Sequence, residues 1–238
     1  MRALFRRRFF GVAVIAVSLI CSLVYEAMTV VDDKSLIIRK VPTTHKVVAL
    51  TIDDGPHYKT TPEILKVLRE KQVKLTLFVL GANAEAHPEI VAQALADGHE
   101  IACHAYSHQL LNTMPLTAAA AEIERAQAII TSIGAPKPTL FRPPGGAYND
   151  RIVAMVRDKG YTTVLWSVDT GDWRRPPVEQ VVKTTLDNVR PGSIVLMHDG
   201  QYPLPTPQAL ERIIDNLRSQ DYQLVTVSEL LQYYEEAN

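Results

Sequence analysis

Two adjacent carboxylates, Asp53 and Asp54, follow the run Val47-Val48-Ala49-Leu50-Thr51-Ile52, and Gly55-Pro56 comes directly after them. The β-branched apolar run from Val47 to Leu50 reads as a buried strand, and Gly-Pro ends it abruptly. Successive strand side chains point to opposite sides, but at the mouth of a barrel a twist in the chain can turn both carboxylates toward one cleft. Two like charges this close are unfavourable unless a cation or a shared proton relieves them. The pair therefore directs the search to metal ligands, and Cys103-His104-Ala105-Tyr106-Ser107-His108 offers them. Two imidazoles four residues apart meet on one face if the segment turns helically. Asp54, His104 and His108 would give one oxygen and two nitrogens, leaving a coordination position open for water as a catalytic site requires. Taken alone, the His-x-x-x-His spacing suits a polar surface loop better than a metal site, and the Asp pair suits a solvated turn.

The elements that must carry these residues supply the missing weight. Strands are predicted at 47–50, 75–80, 100–103, 139–142, 162–168, 193–197 and 223–227. Helices are predicted from Thr61-Pro62-Glu63 onward, with Thr60 or Thr61 near the cap, then at 88–97, 117–133, 149–159, 178–188, 207–220 and from Ser228. Alternating strand and helix argue a predominantly parallel sheet, and their number suits an α/β fold of the (β/α) barrel type, or a distorted version of one. Asp53-Asp54, His104 with His108, Arg142, Asp169 with Asp172, and His198 all fall at or just after the C-terminal end of a predicted strand. In a parallel barrel those ends share one face. Five polar clusters arriving there together favour a site over a set of unrelated surface groups.

Composition sets outer limits. The chain has 238 residues, 47% of them hydrophobic, with a formal net charge of -1. That is enough for one barrel-sized domain, and the charge gives no reason to expect nucleic acid as a partner. The cysteines are Cys21 and Cys103, too few and too differently placed for a disulfide framework. Cys103 could be a further soft ligand, but a buried small apolar residue at a strand end is the better reading. Arg2, Arg6, Arg7 and Arg8 precede a stretch without charge from Phe9 to Tyr25. This reads as a signal peptide or a signal anchor, with the arginines on the cytoplasmic side and the rest of the chain outside. A small-residue cleavage site is hard to find, which favours the uncleaved anchor. The expected organisation is a basic stub and apolar N-terminal helix over 1–28, a linker over 29–45 and a catalytic domain over 46–238, working extracytoplasmically as a monomer.

Five motifs in chain order carry a family resemblance. Thr51-Ile52-Asp53-Asp54-Gly55-Pro56, His104-Ala105-Tyr106-Ser107-His108, Arg142-Pro143-Pro144-Gly145-Gly146, Asp169-Thr170-Gly171-Asp172-Trp173 and Leu196-Met197-His198 resemble those of the polysaccharide deacetylases. These are the NodB-homology domains of carbohydrate esterase family four, and the match runs from about Lys46 to Tyr234. The resemblance implies a distorted (β/α) barrel that uses one divalent metal ion, commonly Zn2+, to remove N-acetyl groups from cell-wall or chitin-like glycans. It implies metal ligation by Asp54, His104 and His108, with Asp53 as the base acting on water. Arg142 would orient Asp53, His198 would be the acid that protonates the departing amine, and Asp172 would orient His198 and raise its pKa. Trp173 and Leu196 would line the pocket for the acetyl methyl, for which ordinary core packing is the competing reading, at Leu196 above all. The backbone N–H of Gly145 would help to hold the oxyanion.

The chain departs from the family at two positions. Gly145 stands where an aromatic residue is usual, so the side-chain contact to the sugar is missing there, and Tyr148 is the expected substitute from nearby. Ala105 stands where a hydroxyl residue is common. His57 lies near enough to the carboxylates to touch substrate, while His99 reads as a structural histidine. A nitrogen and oxygen ligand set also accepts Co2+, Ni2+ or Mn2+. The expected substrate is an acetylated glycan, with peptidoglycan first because the domain would lie outside the membrane. The alternatives are a chitooligosaccharide deacetylase or acetylxylan esterase on the same fold, or a non-catalytic glycan-binding module.

Overall fold

The computed structural model describes residues 37–235. The basic stub, the apolar segment and the first part of the expected linker lie outside the described residues. Nine strands, β1 (Ile37–Ile38), β2 (Val47–Asp53), β3 (Thr76–Val79), β4 (Glu100–Cys103), β5 (Leu140–Phe141), β6 (Thr162–Val164), β7 (Val168–Asp169), β8 (Ser193–His198) and β9 (Gln223–Val225), form one sheet. Its order is β1-β6-β5-β4-β3-β2-β8-β7, with β9 also paired to β2, and every ladder is parallel. The ladder does not close on itself. Between its ends, Lys40 makes an antiparallel bridge to Ser193, and Ser167 N–H donates to Ile194 O. The result is the distorted, curled barrel expected from the alternation of elements.

The helices are α1 (Thr60–Lys71), α2 (Gly81–Ala86), α3 (Pro88–Ala96), α4 (Leu116–Ser132), α5 (Asp150–Asp158), α6 (Val178–Asn188), α7 (Thr206–Ser219) and α8 (Val227–Leu230). The apolar stripe Ile64, Leu65 and Leu68 of α1 is buried, as its helical spacing requires. No helix among the described residues is long and apolar enough to cross a membrane.

Strand periodicity explains which residues reach the lumen. Along β2, Val48, Leu50 and Ile52 belong to the large cluster between sheet and helices, while Val47 and Ala49 belong to a smaller inner cluster with Phe78, Ala102, Leu140, Val164 and Ile194. With a side-chain period of two, Thr51 and Asp53 continue the inner row. By the same parity His104 follows Ala102, Arg142 follows Leu140, and Leu196 and His198 follow Ile194. At the other end of the lumen, Val227 and Leu230 of α8 complete the inner cluster.

Three boundaries differ from the sequence pattern. Ile37–Ile38 pairs with β6 and Val41 is buried, so the fold already includes part of the stretch expected as linker up to residue 45. The strand expected at 162–168 is broken into β6 and β7, where Val164 and Leu165 turn their carbonyls to Arg142. The six-residue helix α2 was not anticipated: Gly-Ala-Asn-Ala-Glu-Ala is too short to show a helical apolar period.

Candidate active site

Asp53 and His198 are register partners on adjacent strands, so the two ends of the site are fixed by the β2–β8 ladder. Asp53 is buried, and its Oδ1 lies 2.5 Å from Arg142 Nη1. Arg142 is wholly buried, with Nη1 also donating to Thr51 Oγ1 (2.9 Å), Nη2 to Leu165 O (3.0 Å) and Nε to Val164 O (3.3 Å). Thr51 is held in turn by its own bond to Val195 O at 2.7 Å. A guanidinium with this many fixed partners defines one orientation for the carboxylate. Asp53 Oδ2 is left facing His104 Nε2 at 3.8 Å.

Asp54 reaches the same cleft through a left-handed backbone, φ 76°, which supplies the twist that strand alternation demands. Its Oδ1 lies 3.3 Å from His104 Nε2 and 3.2 Å from His108 Nε2. The two imidazoles are not brought together by a helix, as the i,i+4 spacing suggested. Residues 104–108 form an irregular bend with Ala105 at φ 64° and His108 at φ 62°. Left-handed conformations at three non-glycine residues cost energy and cluster where a site requires them.

Helix α2 holds this arrangement. The N–H groups of Gly81 and Ala82 donate to Ala105 O (2.9 Å) and Tyr106 O (3.0 Å), and Asn83 Nδ2 donates to Asp54 O (2.7 Å). One short helix thus ties together the two loops that carry the candidate ligands, through two N–H groups that a helix N-terminus leaves unpaired and one side-chain amide. Gly81 is required there, since a Cβ would sit 2.8 Å from the Ala126 backbone and 2.9 Å from the Tyr106 ring. From α4, Glu122 accepts from Ser107 N–H and Oγ, both at 2.8 Å.

The donor set fits a divalent cation. Asp54 Oδ1 is buried without an aligned hydrogen-bond partner. The three candidate ligand atoms all lie within 4.8 Å of one another. Ligand bonds of about 2.0–2.1 Å at tetrahedral angles place ligand atoms about 3.3–3.4 Å apart, which matches the two Asp54–imidazole distances. His104 Nδ1 donates to Arg142 O at 2.8 Å, which fixes the tautomer with Nε2 free toward Asp54. Burial alone would raise the Asp54 pKa, but contacts to His104 and His108 outweigh it and lower the carboxyl well below its ordinary range. Cys103 stays out of this set: burial pushes its thiol up to about 12, so it is a neutral core residue.

On the other side, Asp172 is completely buried in a 3-10 turn, Asp172–Arg174. Its Oδ1 accepts from His198 Nδ1 (2.8 Å) and Trp173 N–H (2.9 Å), and its Oδ2 from His198 N–H (2.8 Å) and Thr206 Oγ1 (2.6 Å). Burial would lower the His198 pKa, but the bond to Asp172 and the charges of Asp172, Asp53 and Asp54 raise it to about 9. Its Nδ1 is engaged, so Nε2 is the atom available to the cleft.

Asp53, Asp54, His104, His108 and His198 line an open cleft of about 360 Å³ with Gly145, Gly146, Trp166, Asp169, Trp173, Leu196 and Gln201. Gly145 has φ 62°, a conformation that suits glycine. Leu196 is buried at the cleft wall, whereas Trp173 is 43% exposed at its mouth. Asp169 accepts from Gly171 N–H (2.9 Å) and shapes the turn before Asp172. Tyr148 does not line the cleft. It is paired with Arg39, whose Nη2 donates to the Tyr148 hydroxyl at 3.1 Å. His99 is buried, with Nδ1 accepting from Leu75 N–H, consistent with a structural histidine.

Asp199 was missed by sequence reasoning. It is wholly buried behind the site, where its N–H donates to Asp53 O (3.1 Å) and its Oδ2 accepts from Thr61 Oγ1 (2.5 Å). Oδ1 has no partner, and burial, with the nearby charge of Asp54, raises the pKa to about 7. A Cβ on Gly55 would lie 2.3 Å from this carboxylate, so the Gly55 of the first motif is needed for close approach. Thr60 and Thr61 are accordingly not helix caps: Thr60 Oγ1 donates to Gln201 O, so both hydroxyls tie α1 to the loop after β8. Gln201 and Trp166 were also missed, because neither carries a motif signal.

The profile of the polysaccharide deacetylases matches residues 40–164, over half of the chain. This chain belongs to the polysaccharide deacetylase family. It is a hydrolase of that family, and its relatives are informative. A peptidoglycan-N-acetylglucosamine deacetylase of Bacillus cereus is 38% identical over 197 residues, covering 82% of this chain and 92% of that protein. The polysaccharide deacetylase fold described here spans only 40% of the longer peptidoglycan-N-acetylmuramic acid deacetylase PdaC of Bacillus subtilis, at 36% identity. Among solved structures, the Bc1960 peptidoglycan N-acetylglucosamine deacetylase in complex with 4-naphthalen-1-yl-N-oxidanyl-benzamide superposes with a TM-score of 0.82 at 32% identity, covering 86% of this chain and 97% of that one. BA3943 of Bacillus anthracis, a pseudoenzyme of the same family, superposes with a TM-score of 0.79 at 28% identity, covering 84% and 70%. The fold is therefore shared by catalytic and non-catalytic members.

Proposed function

We propose that this polysaccharide deacetylase removes N-acetyl groups from N-acetylglucosamine-type residues of a cell-wall glycan, with peptidoglycan as the substrate. The observation that carries this reading is the convergence in one cleft of an Asp-His-His set, an Arg-fixed carboxylate and an Asp-paired imidazole. Asp54, His104 and His108 would hold the ion, and zinc is the ion we propose. When bound, it supplies Lewis acidity, lowering the pKa of a coordinated water toward neutrality and polarising a carbonyl.

The chain's own residues account for the remaining steps. Asp53 Oδ2 accepts the proton of the attacking water, and Arg142 holds the other carboxylate oxygen so that only Oδ2 is presented. An amine leaves a tetrahedral intermediate poorly unless it is protonated, so an acid is needed across the carbonyl from the base. His198 carries that proton at Nε2, and Asp172 keeps it charged near neutral pH. Gly145 offers a backbone N–H to the developing oxyanion, while Trp173 and Leu196 flank the acetyl methyl. Export and membrane tethering through residues 9–25, with the domain acting as a monomer, complete the proposal; fractionation of cells expressing the full chain tests its placement.

The decisive experiment strips metal with a chelator, restores zinc, and follows acetate release from N-acetylglucosamine oligomers and peptidoglycan. A deacetylase loses and regains release. A glycan-binding module releases no acetate under any metal, and that result would end the proposal.

A further inference from the structure

Five large apolar side chains remain exposed among the described residues, and four of them lie in segments that line the cleft or adjoin its lining residues. Trp173 lines it, Leu110 packs beside Gly145, and Tyr58 (57% exposed) and Tyr202 (46%) flank Lys59. The Lys59 ammonium lies 4.8 Å from the Tyr202 ring centre and 5.4 Å from that of Tyr58. His57 is parallel to Tyr202, with 3° between the planes and 6.3 Å between centres, and burial together with His87 and Lys59 lowers its pKa. The rim is joined to the cleft through Gln201, whose carbonyl accepts from Thr60 Oγ1 and whose Oε1 accepts from Arg175 Nη2 at 2.9 Å.

The rim is also electrostatically one-sided. Lys59, Arg174 and Arg175 are exposed, and among the described residues none has a carboxylate within 4 Å. Arg174 instead lies 4.7 Å over the Trp173 ring. Asp169, which also lines the cleft, accepts from Gly171 N–H and forms no ion pair with Arg174 or Arg175 among the described residues. Flat aromatic faces suit the apolar faces of sugar rings, and unpaired cations on the same rim suit anionic substituents.

We propose that this rim is a subsite for the sugar next to the scissile acetamide and selects a carboxylate-bearing neighbour over a neutral one. Tyr202 stacks on the sugar, while Lys59 and Arg175 meet the carboxylates borne by muramic acid, on its lactyl group or on the stem peptide it carries. The inference rests on the deacetylase reading and adds to it: neutral chitin oligomers lack the groups that Lys59 and Arg175 would pair with.

Titration calorimetry on the full chain stripped of metal tests binding without turnover. The probes are chitotetraose, a peptide-free GlcNAc-MurNAc tetrasaccharide, and the same tetrasaccharide with stem peptides. The wild type should bind at least one anionic tetrasaccharide roughly three- to tenfold more tightly than chitotetraose, the range that two exposed ion pairs provide. The peptide-free and peptide-bearing arms identify which carboxylate is read. K59E/R175E should abolish or reverse the preference, Y202A should weaken all three ligands, and added salt should erode the preference in the wild type. Equal affinities in the wild type, or a preference that survives K59E/R175E, would overturn the inference. Acetate release by the zinc-loaded wild type is followed in parallel. Release without an anionic preference sinks the subsite and leaves the deacetylase reading standing, whereas selective binding without release does the reverse.

Discussion

Replacing Asp172 by Asn puts the proposed acid under direct test, because the structure sets both the size and the pH dependence of the effect. His198 is raised from 6.5 to about 9 against the opposing influence of its own burial, chiefly by Asp172. At about 1.4 kcal/mol per pH unit, that gap corresponds to about 3 kcal/mol of preference for the imidazolium in the folded, metal-free protein. A pKa raised on folding gives stability that is complete below the unfolded value of 6.5 and is lost as pH rises through 9. Asp172 also accepts from three further donors, the Trp173 and His198 N–H groups and the Thr206 hydroxyl. Asparagine has a single side-chain oxygen, so at least two of the four donors lose an acceptor, at roughly 1 kcal/mol or more each. Asp172→Asn should therefore be less stable by about 5 kcal/mol at pH 6 and by only about 2 kcal/mol near pH 9.5. Urea denaturation of metal-free protein at the two pH values measures this difference. Imidazole NMR on the same samples should find His198 titrating near 9 in the wild type and below 6.5 in the variant. The high-pH limb of kcat/KM should also move to lower pH in the zinc-loaded variant. A wild-type His198 midpoint near 6.5, or a stability loss independent of pH, would refute the reasoning.

Arg142→Met should cost about 3–5 kcal/mol in urea denaturation, because it leaves the Asp53 carboxylate buried without its cation; a loss under 1 kcal/mol would contradict the assigned pairing. Asp199 has a pKa raised to about 7, so its contribution is complete below 3.8 and is lost as pH rises through 7. Asp199→Asn in the metal-free protein should remove that decline between pH 4 and 8, and a stability profile parallel to that of the wild type would contradict it. Gly81→Ala forces α2 away from the Ala126 backbone, so it should weaken zinc affinity, read by competition with a chelating dye, as well as lower stability. Unchanged zinc affinity would mean that α2 does not position the ligand loops.

Much of the site was legible because its chemistry sits at strand ends. Asp53, His104, Arg142 and His198 follow the inner parity of β2, β4, β5 and β8, and a period of two can be read from sequence. The candidate metal trio could be picked out by residue type, but its geometry could not: the helical turn expected for His104 and His108 is replaced by a left-handed bend at Ala105 and His108. Helix α2 escaped notice because six small and polar residues leave no apolar period, although it fixes both ligand loops. Asp199 was passed over because it looks like an ordinary polar residue after a strand, and its role depends on Gly55 and Thr61, more than 130 residues away in sequence. Tyr148, offered as a partner for sugar because of its nearness in sequence to Gly145, is drawn off by Arg39. Long-range pairings of this kind carry no local signal.

Crystals of Asp53→Asn soaked in zinc, examined by anomalous scattering at the zinc edge and paired with an acetate-release assay, address the central claim most directly. The account predicts one zinc peak among Asp54 Oδ1, His104 Nε2 and His108 Nε2, at about 2.0–2.2 Å from each, with no acetate released. A peak elsewhere, no peak at all, or full turnover by Asp53→Asn would contradict it.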